Sequence, residues 1–137
     1  MRDVVRSRSV PQIIVSNADY ERLTDLASAS LHRLPEVAQE LLDELDRAQI
    51  VSEDDVPANV VRMGSTVTFK SDDGQTRTMT LVYPVDESLD AHRISVMTPI
   101  GAALIGLGVG QSIYWPGRDG KQHQLTVIKV AAPAKAS

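Results

Sequence analysis

Cysteine is absent from this chain, which excludes disulfides, thiolate metal sites and a cysteine nucleophile and suits a reducing compartment. Aromatic side chains are scarce, with one Phe, one Trp and three Tyr in 137 residues. A pocket walled by several aromatic rings is therefore not expected. No apolar run approaches the roughly 18 to 20 residues that span a bilayer, and the opening stretch M-R-D-V-V-R-S-R-S-V lacks the apolar core of a signal peptide. The expectation is a cytoplasmic protein with no membrane contact. Positive charge is thin as well: residues 1–56 hold six arginines against twelve acids, and residues 57–137 hold eight basic residues against six acids. Neither part has the dense cationic patch that neutralising many phosphates requires, so direct nucleic-acid binding, sequence-specific or otherwise, is not expected.

Familiar catalytic and metal patterns are missing too. His32, His92 and His123 fall in a turn, a loop and a predicted strand, without i, i+4 spacing or an acidic companion in a metal motif. No G-x-S-x-G elbow is present. The run Gly106 to Gly110, G-L-G-V-G, follows a helix and precedes a strand, the reverse of the order a dinucleotide fingerprint needs. No catalytic, metal or cofactor residues are assigned, and no cofactor is expected.

What is present centres on Ile94 to Trp115, I-S-V-M-T-P-I-G-A-A-L-I-G-L-G-V-G-Q-S-I-Y-W, which is free of charged residues. Ile94 and Val96 begin as a strand. Thr98 offers a capping oxygen and Pro99 occupies a first helical position, where its missing N–H costs nothing. A short apolar helix follows, with Ile100, Leu104 and Ile105 buried, Ala102 and Ala103 allowing close approach, and Gly106 just past its end in the left-handed region. Ser112 to Trp115 is another strand. So little charge marks the segment as the hub of a core.

Around it, Ile13 to Val15 predict a strand, and Ser16 and Asn17 cap a helix from about Ala18 to Ser30 whose apolar stripe is Tyr20, Leu23, Ala27 and Leu31. Pro35 starts a second helix with Val37, Leu41, Leu45 and Ala48 on one stripe and Ala38 and Leu42 beside it. The two form an antiparallel hairpin. Glu36, Glu40 and Glu44 recur every four residues along the second helix, a like-charge row read as a solvated outer face or a surface for basic partners. Beyond the charged boundary Ser52 to Pro57, strands are predicted at Val60 to Met63, Thr66 to Lys70, Thr76 to Tyr83 and Gln122 to Val130, with Asp73-Gly74 and Asp119-Gly120 as hairpin turns. The expected organisation is a disordered start (1–10), a short strand with the helical hairpin (11–56), a sheet domain with one short helix (57–131) and a tail (132–137), an α+β chain.

The hub T-P-I-G-A-A-L-I-G-L-G-V-G resembles the C-terminal signature of the Gre transcript elongation factors. Glu44 to Gln49 (E-L-D-R-A-Q), Thr80 to Pro84 (T-L-V-Y-P) and Ser95 to Leu104 resemble, more closely still, the short regulators of nucleoside diphosphate kinase. The resemblance implies an FKBP-like antiparallel sheet domain, an N-terminal coiled-coil hairpin, and bacterial RNA polymerase as partner at the rim of its secondary channel. Docking would fall to Met97, Thr98, Pro99, Ile100 and Gly101, where the Gre pattern has Asn or Asp, then Ser, then Pro. In Gre factors the hairpin tip carries carboxylates that help hold the second Mg²⁺ of transcript cleavage. Here the tip, Ser30, Leu31, His32 and Arg33, has no acid. The implied role is to occupy the polymerase site in competition with Gre factors without stimulating cleavage, and to affect kinase levels. The alternatives are an active Gre-like cleavage factor and, further off, an FKBP-type prolyl isomerase.

Overall fold

The computed structural model describes residues 11–116 and 119–133. The disorder expected of residues 1–10, and positions 134–137 of the expected tail, lie outside the described residues.

Strand β1 (Ile14–Ser16) runs directly into helix α1 (Asn17–Ala29), and Ser16 caps it by accepting the Asp19 N–H at 3.1 Å. That bond pairs one of the orphan donors of the first turn, and the Asp19 carboxylate lies at the positive end of the helix dipole. The Ser30 hydroxyl folds back onto the Leu26 carbonyl at 2.8 Å where α1 stops. Helix α2 (Pro35–Asp46) then starts at its proline. Leu23 and Ala27 of α1 and Val37, Ala38, Leu41 and Leu45 of α2 are buried, as their spacing predicts. Leu31 departs from its stripe. Because α1 ends at Ala29, Leu31 lies in the turn and is 37 % exposed, while Ser30 is enclosed instead.

Past α2 comes a strand that periodicity does not predict, β2 (Gln49–Val51), paired in parallel with β1 so that Ile14 faces Gln49 and Ser16 faces Val51. The pair closes the base of the helical hairpin. The remaining elements are β3 (Thr66–Ser71), β4 (Thr76–Val82), β5 (Arg93–Ser95), helix α3 (Pro99–Leu104), β6 (Ser112–Pro116) and β7 (Gln122–Ala131). They form one five-stranded sheet in the order β5-β4-β3-β7-β6. Inward residues alternate along the strands, with Val67 and Phe69 of β3 and Leu125 and Val127 of β7 fully enclosed.

Two expectations change here. The sheet is mixed rather than antiparallel: β4 and β5 run parallel, Thr80 opposite Arg93. The connecting segment, which makes a tight turn at Pro84–Asp86, carries the chain back only as far as Thr80, in the second half of β4, before β5 begins. Val60 to Met63 is not a strand but a clamp on the hub. Val60 makes a lone bridge to Gly108, while Val61 donates its N–H to the Leu107 carbonyl at 2.8 Å and accepts from the Gly106 N–H at 2.9 Å.

The hub helix is where sheet and hairpin meet, and the result is an α+β fold with a single continuous core. Leu23, Ala27, Leu41 and Leu45 of the hairpin belong to the same buried cluster as Phe69, Leu81, Leu104, Ile105 and Leu125. Gly106, at φ +81, is the point of closest approach between β1 and the hub. A Cβ there would lie 2.7 Å from the Ile13 Cβ, and its carbonyl accepts the Ile14 N–H at 3.1 Å. Only glycine permits β1 to approach the hub so closely. Among the described residues, no helix is long and apolar enough to cross a membrane.

Candidate functional site

The five residues singled out at the strand-to-helix corner divide into framework and surface. Thr98 is the N-cap of α3: its Oγ1 accepts the Gly101 N–H at 3.0 Å and donates to the Ser95 carbonyl at 2.7 Å. Both functions of the hydroxyl are thus engaged inside the fold. Met97 is 7 % exposed, with its N–H given to the Ser95 Oγ at 2.9 Å. Gly101 is buried, and an added Cβ there would run into the Ser95 carbonyl. Pro99 and Ile100 are half-buried, Ile100 packing against the core.

The hairpin tip lies beside this corner. Ser30, Arg33 and Leu34 line the same groove, of about 440 Å³, as Ser95, Met97 and Thr98. Two sets of residues separated by more than 60 positions are therefore brought to one place. Leu31 faces another trough, with Pro35, Glu36 and Gln39. His32 is exposed and borders neither. The groove also takes in Tyr83, Pro84, Val85 and Glu87 from the β4–β5 connection, which the sequence reading did not assign to a site. A β-branched apolar residue after a proline in an otherwise polar loop was the available clue. Val85 is 88 % exposed.

The acidic row of α2 is not a solvated outer face throughout. Glu36 is exposed, but Glu40 and Glu44 are half-buried. Together with Asp43 they border a cavity of about 110 Å³ whose other walls are Pro99, Ala102, Ala103, Tyr114 and Trp115. The row leans over the hub helix because α2 packs on α3. Burial pushes the Glu44 carboxyl up to about 7, against the opposing pull of the Arg47 guanidinium that ion-pairs with it. Glu40 is also raised, first by burial and then by Glu36 and Asp43.

A pH dependence follows. The folded chain holds the Glu44 proton more tightly than the unfolded chain, where the ordinary value is 4.5. This stabilisation is complete below that value and is lost as pH rises to about 7. Urea unfolding of the wild type between these limits should lose about 1–2 kcal/mol that Glu44→Gln does not lose, the side chain being partly open to water. Parallel pH profiles for the two proteins would contradict this placement of Glu44.

His123 has acidic companions that its position in the chain did not reveal. Its Nδ1 lies 3.4 Å from Asp72 Oδ1, and its Nε2 lies 3.0 Å from Asp119 Oδ1. One carboxylate at each ring nitrogen is the geometry of an imidazolium donating twice, and these bonds, to Asp119 first and then to Asp72, raise its pKa. The ring also lies against Trp115, centroids 5.2 Å apart. The described aromatics do not converge on one pocket. Phe69 is in the core, Tyr83 lines the groove, and Tyr114 and Trp115 border the α2–α3 cavity.

Comparison with known proteins agrees with this architecture. Residues 56–132 match the family described as "Transcription elongation factor, GreA/GreB, C-term", and residues 11–51 match "Rnk N-terminus". The "Regulator of nucleoside diphosphate kinase" of Escherichia coli K12 is 39 % identical over 130 residues, covering 94 % of this chain and 96 % of that one. "Transcription elongation factor GreA" of Chloroflexus aggregans is 34 % identical, covering 87 % and 81 % respectively. A solved structure, "Prokaryotic transcription elongation factor GreA/GreB from Nitrosomonas europaea", superposes with a TM-score of 0.70 at 35 % identity, over 89 % of this chain and 99 % of the other. Sheet, hub helix and glycine turn are thus those of a GreA/GreB-type C-terminal region. With its N-terminal hairpin included, the chain belongs to the regulator of nucleoside diphosphate kinase family, whose names denote regulators rather than enzymes.

Proposed function

We propose that this protein is a transcription regulator that binds bacterial RNA polymerase at the rim of the secondary channel and occupies the Gre site without stimulating transcript cleavage. In this reading the sheet with α3 is an FKBP-like docking module, gripping through the corner at Met97 to Gly101. The hairpin is a short coiled coil. Any effect on nucleoside diphosphate kinase levels then follows from transcription, not from contact with the kinase.

The observation that carries the proposal is the tip. Between α1 and α2 stand Ser30, Leu31, His32, Arg33 and Leu34, without a carboxylate, and the nearest acids are Asp25, inside α1, and Glu36, in the first turn of α2. Holding a second Mg²⁺ takes several hard oxygen ligands at one point, which this tip does not offer. Helices of 13 and 12 residues also reach only about 20 Å. The protein would sit where a cleavage factor sits and do nothing to the transcript.

The test is transcript cleavage on a stalled elongation complex, with this protein alone and then titrated against a Gre factor. Cleavage near the intrinsic rate alone, and suppression of Gre-stimulated cleavage in the mixture, are the expected results. Stimulation by this protein alone would overturn the proposal, and so would a mixture in which Gre activity is untouched at saturating protein.

A further inference from the structure

The groove between hairpin tip and hub corner has an apolar wall and one charge left over. Leu26, Leu34, Val85 and Met97 make the wall, and Val85 and Leu34 are 88 % and 41 % exposed. Large apolar side chains open to water along one groove mark a surface that another molecule covers.

Arg33 stands at the tip side of the groove. Among the described residues, the other arginines are engaged. Arg22 lies 5.1 Å over the Tyr83 ring, Arg47 pairs with Glu44, and Arg62 pairs with Glu53. Arg77 donates to Gln75, and Arg93 donates to the Asp86 carbonyl. The Arg33 guanidinium alone has no such partner within the described residues. The one acid lining the groove, Glu87, is turned to the opposite wall, where it accepts the Ser95 N–H at 3.4 Å. A planar five-donor fork beside an apolar wall is suited to a carboxylate carried on an apolar segment.

We infer that this groove receives a polymerase segment that is apolar on its inward side and carries a carboxylate opposite Arg33. The inference rests on the polymerase-docking reading above and adds to it the chemistry of the partner. It also gives the tip a different task from that of a cleavage factor's tip. The tip is one jaw of the docking site, closed over the partner together with the hub corner, and is not an element sent onward to the catalytic centre.

The experiment measures binding of the full-length chain to core polymerase free of nucleic acid, at two salt concentrations. Val85→Asp and Arg33→Glu should each weaken binding about tenfold or more, and Arg33→Lys by much less. Arg33→Gln should flatten the salt dependence. Both positions are exposed, so thermal melts of the variants should match the wild type and keep loss of binding distinct from loss of fold. If the wild type binds and the variants bind equally well, the groove is not the contact, although docking elsewhere on the corner survives. If the wild type does not bind, the docking reading and this inference fall together. An effect of Arg33→Glu seen only on complexes containing RNA and DNA would assign the arginine to phosphate and overturn the inference.

Discussion

Gly101→Ala is expected to destabilise the protein by more than about 3 kcal/mol, a substantial fraction of the margin of a domain this size. An added Cβ would stand 2.1 Å from the Ser95 carbonyl oxygen and 2.9 Å from the Val96 Cα. Both are backbone atoms, so no rotamer change relieves the clash. Relief requires sliding α3 away from β5, and that breaks the paired bonds by which Thr98 ties the Gly101 N–H to the Ser95 carbonyl. Gly108→Ala is the matched comparison, because its Cβ would meet nothing nearer than 3.6 Å. Chemical denaturation of the two variants should separate them by at least about 2 kcal/mol. Similar midpoints would mean that the close contact between α3 and the end of β5 does not exist in solution.

Leu41→Ala should cost about 2–5 kcal/mol and lower the unfolding midpoint of the whole chain in one transition. Leu41 is fully enclosed on α2, and the cluster it belongs to continues into the sheet through Leu104 and Ile105. A hairpin that stood apart from the sheet would respond differently. Its helical signal would melt early, and the amide protection of Phe69, buried in the central strand β3, would keep its wild-type midpoint. Following far-UV circular dichroism and Phe69 amide exchange through the same titration decides between the two. Coincident curves shifted together are the expected outcome, and separated curves would contradict a shared core.

Much of this architecture is legible in the chain because its strongest determinants are local. The cap at Ser16, the proline at the start of α2, the Thr98-Pro99 start of α3 and the left-handed Gly106 are each written in adjacent residues, and local rules suffice for them. The family is legible for the same reason, since its motifs are contiguous. What escapes is decided at a distance. Strand β2 is three residues long and finds its partner 35 positions earlier, too short for a period-two pattern. The parallel β4–β5 pairing depends on how the intervening connection returns, which alternation within each strand does not encode.

The candidate site divides in the same manner. The corner at Met97 to Gly101 is a continuous motif, and the tip is recognisable as a turn. That they border one groove depends on α1 lying along the sheet domain, where Arg22 rests on Tyr83 and Asp19 accepts the Met63 N–H. The acidic row misleads for a related reason. Steps of four place Glu36, Glu40 and Glu44 on one face of α2, but only the packing of α2 on α3 determines that this face leans toward Trp115 and Pro99. His123 likewise meets Asp72 across 51 positions.

The pairing of β1 with β2 fastens the entry and exit of the hairpin to each other, and the bond from Ile14 to Gly106 fastens both to the hub. The torsions that a swinging arm would use at its root are thereby locked into hydrogen-bonded strand. The hairpin and the hub consequently arrive at an encounter already in their final arrangement. Little ordering entropy remains to be lost on association, and the rate of capture should follow diffusion, orientation and ionic strength rather than a preceding opening step.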